Sequence, residues 1–186
     1  MTFIDCFSDL TDPRRKQGLR VDLEQVLIMT VISYLAGYTG YRGVARFSKE
    51  NQDYFIAELK LRHGVPSHVT YREVLMNIDQ AELIAAFNQW SQKYVPLQNQ
   101  DWLGTDGKTL GATVTNTQNK NQDFEGVVSL FCVKSGLVCS IEHYRRKSKE
   151  KGEAPLARHI MTQLKDMGLI FTLDALNTQK KRLPTL

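Results

Sequence analysis

Asp106 and Asp174 are the residues whose type and setting speak most directly of chemistry. Each closes a short apolar run: Trp102-Leu103-Gly104-Thr105 leads into Asp106-Gly107-Lys108-Thr109-Leu110, and Leu169-Ile170-Phe171-Thr172-Leu173 leads into Asp174-Ala175. Such runs read as buried strands, and a carboxylate just past a strand's C-terminal edge lies where open α/β sheets hold their sites. Two carboxylates on neighbouring strands would bind a hard divalent cation, since Mg2+ prefers charged oxygen ligands and keeps several waters. Two acids alone imply one weakly held ion. Taken singly, each has a plainer reading: Asp106-Gly107 suits a turn, and Asp174 suits a helix cap. Taken together, at matching strand ends, the metal reading is preferred.

Cations form the second constellation. Arg145, Arg146, Lys147, Lys149 and Lys151 place five positive charges within seven positions, a run able to neutralise several phosphates. Most charge runs are solvated loops. This one leaves a strand edge ahead of a crossover helix, which favours DNA contact. Arg14, Arg15, Lys16 and Arg20 form a smaller cluster, and Lys108 beside Asp106 reads equally as a phosphate contact or a solvated turn residue. Ser67 to Met76 could be the second helix of a helix-turn-helix, with Ser67, His68, Thr70, Tyr71 and Arg72 facing DNA, although capped helices in ordinary bundles look the same. An unrelated metal-dependent nuclease would need a third acid from Asp101, Asp123, Glu125 or Glu142, of which Glu125 and Glu142 flank a hairpin and are preferred. The four histidines show no metal-ligand spacing, and His143 reads as a strand residue near a sheet edge.

These groups must be carried by two kinds of element. The first half reads as helices. Asp22 with Gln25 makes a capping box ahead of an apolar helix that Gly37 stops. A second helix is expected from Arg42 to Leu59, anchored by Val44, Phe47, Tyr54 and Phe55. A short one runs through Met76, and another starts at a second capping box, Asp79 with Glu82, and carries Leu83, Phe87, Trp90 and Tyr94 on one stripe until Pro96. After the polar joint Gln98-Asn99-Gln100-Asp101 the pattern turns to strands: Phe124 to Val133 and Leu137 to Tyr144 meet at a hairpin. A two-residue loop at Ser135-Gly136 would set Cys132 opposite Cys139, two buried thiols rather than a disulfide. A helix over Pro155 to Met167, with Leu156, Ile160, Leu164 and Met167 on one face, precedes the last strand. Trp90 and Trp102 are expected in the core. If the last strand inserts beside the first, the two aspartates end at the same sheet edge.

Four motifs, in order, resemble one family. Phe7-Ser8-Asp9-Leu10-Thr11-Asp12-Pro13-Arg14-Arg15, then Gly64-Val65-Pro66-Ser67-His68 with Thr70, then Asp106-Gly107-Lys108-Thr109-Leu110, and lastly Thr172-Leu173-Asp174-Ala175-Leu176-Asn177-Thr178-Gln179-Lys180-Lys181 are similar to the ISAs1-type, or H-repeat-associated, DDE transposases. The resemblance implies an α+β chain: a helical N-terminal domain at residues 1–98, then an incomplete ribonuclease H-like domain at 99–186 with strand, strand, strand, helix, strand. It carries Asp106 and Asp174 over as the first two acids of a DDE triad holding Mg2+ or Mn2+. The family's third acid lies well downstream, and the ending Arg182-Leu183-Pro184-Thr185-Leu186 departs from the helix expected there, as a frameshift or premature stop would produce. The expectation is a transposase truncated after its second acid, inactive alone. It would bind the DNA ends of a mobile element. The alternative is a non-catalytic DNA-binding or interaction protein that pairs with full-length transposase or with itself.

Composition agrees with a soluble class. The 186 residues are 42% apolar and 24% charged, with a formal net charge of +4. Wholesale disorder is excluded by that balance. The longest apolar stretch, Val26 to Ala36, falls short of the roughly 20 residues a bilayer span needs. No signal peptide opens the chain, so the cytoplasm is the expected location. Cys6, Cys132 and Cys139 make no zinc spacing or disulfide framework.

Overall fold

Asp22 caps the first helix from an extended conformation, and Gln25 returns its Oε1 to accept the Asp22 N–H at 3.0 Å. This is the reciprocal cap expected from the sequence, and it starts α1 (Leu23–Leu35). Gly37, at φ +85°, ends the helix in a left-handed conformation that a side chain would resist. The structure, a computed structural model, describes residues 3–17, 19–114, 124–146 and 153–172. The chain divides into two units, residues 1–86 and 87–186.

In the first unit α1 is followed by α2 (Gly40–Glu50), α3 (Gln52–Leu59), α4 (His68–Asn77) and the start of α5 (Gln80–Tyr94). The single helix expected from Arg42 to Leu59 is thus two. Asn51 leaves helical geometry between them, and its side-chain amide donates to the Phe47 carbonyl at 2.9 Å, the local competition with the backbone that asparagine offers. After that break Phe55 is buried and Tyr54 points to solvent, 59% exposed, so Tyr54 is no core anchor. Val26, Met29, Val44, Phe55, Tyr71 and Val74 form the buried centre. Each fully buried aliphatic side chain there contributes about 1.5–3 kcal/mol. Cys6 closes the unit's other side, its Sγ donating to the Ala86 carbonyl at 3.2 Å. Burial pushes this thiol above its ordinary pKa.

At the start of α5, Asp79 Oδ1 accepts the Ala81 and Glu82 N–H groups at 2.8 and 3.1 Å. Glu82 completes no capping box. Its carboxylate instead accepts the Thr11 N–H at 2.9 Å and the Thr11 hydroxyl at 3.1 Å, tying the N-terminal segment to α5.

Among the described residues the second unit holds a four-stranded mixed sheet in the order β3-β2-β1-β4, so the fold is α+β. Strand β1 (Trp102–Thr109) pairs antiparallel with β2 (Phe124–Cys132), which pairs antiparallel with β3 (Leu137–Arg146). Helix α6 (Glu153–Leu164) then leads to β4 (Ile170–Thr172), which lies parallel to β1. Alternation sends Leu103, Val128, Leu130 and Cys132 to one face, where they pack with Val95, Tyr144 and Ile160. Leu156, Leu164, Leu169 and Phe171 surround that core. Trp102 lies on the opposite face and is 52% exposed, contrary to its expected core position.

The far edge of the sheet is covered by α5. Asn88 donates its amide to the Ile141 carbonyl at 2.9 Å and accepts the Ile141 N–H at 2.8 Å, and Ser91 donates to the Val138 carbonyl. A side-chain amide thereby takes the place of a neighbouring strand, one way of blunting an edge. The hairpin differs from expectation as well. Its turn spans residues 133–136, Cys132 pairs with Leu137, and a bulge leaves Cys139 without a cross-strand partner. The two thiols are free and buried, with the Cys139 Sγ donating to the Leu130 carbonyl at 3.2 Å. Burial raises Cys139 to a pKa of about 11, so it is an inert core thiol.

Candidate functional site

Strand β1 does two jobs by alternation. Leu103 and Thr105 face the core, while Gly104, Asp106 and Lys108 face outward. Gly104 is required by a close approach: a Cβ there would lie 2.2 Å from Cζ of Phe131, whose ring crosses β1 at this point. Asp106 was expected just past the strand end. It lies within the strand instead, opposite Ser129, because β1 continues to Thr109 through pairs with Val128, Val127 and Gly126. The turn reading of Asp106-Gly107 is thereby removed, and Lys108, opposite Val127, is an exposed strand residue. Toward β4 the last described pair is Gly104 with Thr172, so Asp106 lies two residues beyond it. Asp106 is exposed.

The rows of the sheet identify which residues share this outward face. Asp106, Ser129 and Ile141 form one row; Val127 and His143 lie beside Lys108 in the next. Beyond them Glu125 pairs with Arg145. Arg145 donates from Nε to Glu125 Oε1 at 2.7 Å, and His143 Nε2 is 3.3 Å from Glu125 Oε2. The Arg145 hydrogen bond holds the Glu125 carboxyl below the usual range, with a smaller push from His143. Neither Glu125 nor its neighbours were expected to form this cluster. Its signal in the sequence was the strand register, which charge spacing alone does not reveal.

The third-acid reading finds no support among the described residues, where no three His, Cys, Asp or Glu side chains gather to hold a metal. Glu142 pairs with Val128 and so lies on the opposite face from Asp106. Asp101 accepts the Gln98 N–H at 2.8 Å in the turn before β1, and Glu125 is engaged as above. Asp123 lies outside the described residues.

The other expected site residues are distributed as follows. Asp174, Lys147, Lys149 and Lys151 lie outside the described residues. Arg146 ends β3 opposite Phe124. Arg14 is committed within its own loop: its guanidinium grips Asp12 at 2.6 and 2.9 Å and donates to the Val21 carbonyl at 3.0 Å, leaving the side chain 6% exposed. That grip holds the Asp12 carboxyl below its ordinary range. Arg15, by contrast, is exposed. At the start of α4 and along it, Ser67, His68 and Arg72 reach solvent, but Tyr71 does not face a ligand. It is wholly buried, with its hydroxyl 2.7 Å from Ser48 Oγ and 3.4 Å from Met29 Sδ.

As to what the residues could hold, Asp106 supplies one hard, exposed carboxylate, the donor chemistry a divalent cation prefers. One such ligand from the described residues suits an ion completed by other donors.

Comparison with known proteins follows the same lines. Residues 4–91, which comprise nearly all of the helical unit, match the family described as DDE_Tnp_1-associated. Over most of its length the chain is similar to the Putative transposase YncI of Escherichia coli O157:H7, 24% identical over 179 residues, covering 96% of this chain and 45% of that protein. It is likewise 24% identical to the H repeat-associated putative transposases YhhI and YbfD of Escherichia coli strain K12. Those matches cover 93% and 90% of this chain, and 44% and 65% of the two relatives. The similarity to transposases thus runs along most of the chain, while the family match is confined to residues 4–91 of its 186. The chain spans about half the length of the first two relatives. Among the described residues no helix is long and apolar enough to cross a membrane.

Proposed function

We propose that residues 99–186 are the opening part of a ribonuclease H-like DDE catalytic domain, that residues 1–98 are its helical associated domain, and that the protein acts on the DNA ends of a mobile element. The observation that supports this most is β4 lying parallel beside β1. Trp102 pairs with Ile170, Leu103 with Phe171 and Gly104 with Thr172, a constant offset of 68 residues. Asp106 and Asp174 are separated by the same 174 − 106 = 68 residues. Asp174 lies outside the described residues, and its partnership with Asp106 is the proposal.

Asp106 and Asp174 would hold a shared Mg2+ or Mn2+. When bound, such ions activate a water or a DNA 3′-hydroxyl and stabilise the leaving oxygen in phosphoryl transfer. The chain's own contribution is to present the Asp106 carboxylate from a strand fixed on both sides, with Lys108 and Arg145 on the same face to receive phosphate charge. The third acid of a full triad would come from the region of the relatives that this chain does not span. Alone, this chain binds DNA with negligible cleavage. A DNA substrate in turn puts its place of work in the cytoplasm.

The test is Mn2+ binding, followed by electron paramagnetic resonance, to the wild-type chain, Asp106→Asn and Asp174→Asn. Both substitutions should weaken binding about tenfold or more, since even an outer-shell partner of a metal ligand is worth about that much. Unchanged Mn2+ affinity in Asp106→Asn would remove the metal reading. Mg2+-dependent nicking by the chain alone, lost in Asp106→Asn, would overturn its inactivity.

A further inference from the structure

The helical unit has ten Lys and Arg against eleven Asp and Glu over residues 1–86, yet most of its cations lie around one loop. Two open clefts flank the loop 63–67. One, of about 460 Å3, is walled by Arg15, Arg20 and Thr70, with Glu73 its one acid; Arg14 lines it too but is spent on Asp12. The other, of about 660 Å3, is walled by Arg42, Arg46, Lys49 and His68, with no acid in its lining. His63 and Ser67 belong to both. Six of the unit's ten cations therefore line two adjoining hollows, five of them besides the committed Arg14, in a unit that carries slightly more acid than base.

The way these cations are held matters. Arg46 lies over the Tyr38 ring, 5.2 Å from its centroid, and Lys49 Nζ donates to Gln52 Oε1 at 2.7 Å. Both partners are uncharged, so they orient the cations without neutralising them. Arg15, Arg20 and Arg42 make no ion pair among the described residues. Arg42, Arg46 and Lys49 follow one another at i, i+4 and i+7 along α2, a stripe about 10 Å long at 1.5 Å per residue. Phosphates of one DNA strand recur about every 3.4 Å along the duplex axis, so the stripe spans about three of them. A small anion would call for donors converging on one enclosed point. Here the charge is spread along two open clefts.

We propose that this basic face of the helical unit, formed by Arg15, Arg20, Arg42, Arg46 and Lys49 around the loop 63–67, grips the phosphate backbone of duplex DNA. The proposal rests on the reading that the protein acts on DNA, and it assigns a sequence-independent grip to the helical unit itself. No base edge is read, so binding is uniform across sequences and falls steeply with salt.

The experiment is fluorescence anisotropy of a labelled random-sequence duplex with the full chain, across a NaCl series. Three double variants each remove two charges: Arg15→Gln with Arg20→Gln, Arg42→Gln with Lys49→Gln, and the control Lys60→Gln with Lys134→Gln, both exposed and outside the clefts. Each phosphate contact contributes about 0.9 to the slope of log affinity against log salt, so either cleft double should lower the slope by about 2 and weaken binding tenfold or more. The control should stay near wild type. All variants should keep the wild-type Mn2+ affinity and melting temperature; if the α2 pair melts early, the Arg15 and Arg20 pair decides alone. Cleft doubles that bind like the control, while wild type binds, overturn this proposal and leave the DNA reading standing. A wild type that does not bind duplex overturns both. Competition by polyglutamate as strong, charge for charge, as by duplex overturns it in favour of an acidic protein partner.

Discussion

Tyr71 ties three helices of the first unit together, and its hydroxyl offers a clean perturbation. The ring is completely buried and its oxygen lies 2.7 Å from Ser48 Oγ, which is itself 0% exposed. Tyr71→Phe keeps the apolar ring and removes only the polar contact, leaving Ser48 without its phenol partner. Orphaning a buried hydroxyl costs about 1–3 kcal/mol. Ser48→Ala should cost a similar amount, because the Met29 sulfur at 3.4 Å is a weak acceptor for the phenol that remains. The double variant, with both polar groups gone, should be less destabilised than the sum by about 1–2 kcal/mol. Urea unfolding at pH 7, followed by circular dichroism, should show lower midpoints at an unchanged m-value. Alkaline titration supplies a second readout. Burial pushes Tyr71 up to about 12, opposed in part by the Ser48 hydrogen bond. A phenol whose folded pKa is raised contributes stability that is complete below its unfolded pKa of about 10. That stability drains away as pH climbs toward 12, by about 3 kcal/mol in all. Tyr71→Phe should lack most of this alkaline loss. Strict additivity of the two single variants, or an alkaline limb unaltered in Tyr71→Phe, would refute the reasoning.

Three further outcomes are expected. Asn88→Ala removes both hydrogen bonds that cover Ile141 and should destabilise by about 1–3 kcal/mol, with faster amide exchange at Ile141 than elsewhere in β3; equal protection in variant and wild type would show that the clip does not hold this edge. Thr105 buries its Oγ1 on the core face with no hydrogen-bond partner among the described residues. Thr105→Val should therefore stabilise by about 1 kcal/mol in thermal melts without altering Mn2+ affinity, and a loss of stability would mean the hydroxyl has a partner. Arg14 lowers the Asp12 carboxyl and Arg145 lowers that of Glu125, so both contribute stability above the ordinary carboxylate range that is lost as pH falls through their lowered folded values. Asp12→Asn combined with Glu125→Gln should flatten the acid limb of a stability–pH profile below about pH 4; a profile parallel to wild type would count against it.

Much of the helical unit could be read from local chemistry. The Asp22 and Gln25 cap, the Gly37 stop and the onset of α4 after Ser67 depend on residues within a few positions of one another. What escaped was decided at long range. Glu82 sits where a capping residue should, but Thr11, 71 residues away, offers it two donors. Tyr71 carries a polar tip that reads as surface, until Ser48 from another helix supplies a buried partner. The clefts around the loop 63–67 were hidden for the same reason, since Arg42, Arg46 and Lys49 meet Arg15 and Arg20 only through the loop they flank. On the sheet, the expected insertion of the last strand beside the first is what β4 does.

The hairpin shows how small a misreading changes a candidate site. With a two-residue loop and Cys132 opposite Cys139, the register would carry Ser129 to Glu142 and Val127 to Tyr144. Glu142 would then share the face of Asp106, as a third acid must. In the structure the four-residue turn and the bulge at Leu130 and Phe131 displace β3 by one position, so Ser129 meets Ile141 and Val127 meets His143. A shift of one residue exchanges the two faces of a strand. Glu142 therefore leaves the face of Asp106, while His143 and Arg145 join it and Tyr144 turns into the core over Gly126. The bulge lies near the turn, and the pairs from Phe124 to Leu130 are regular beyond it. The face around Asp106 consequently bears cations and a single engaged glutamate rather than a third carboxylate. Such a surface sets positive charge beside one exposed carboxylate, which fits the proposed phosphate-handling reading better than a self-sufficient metal centre.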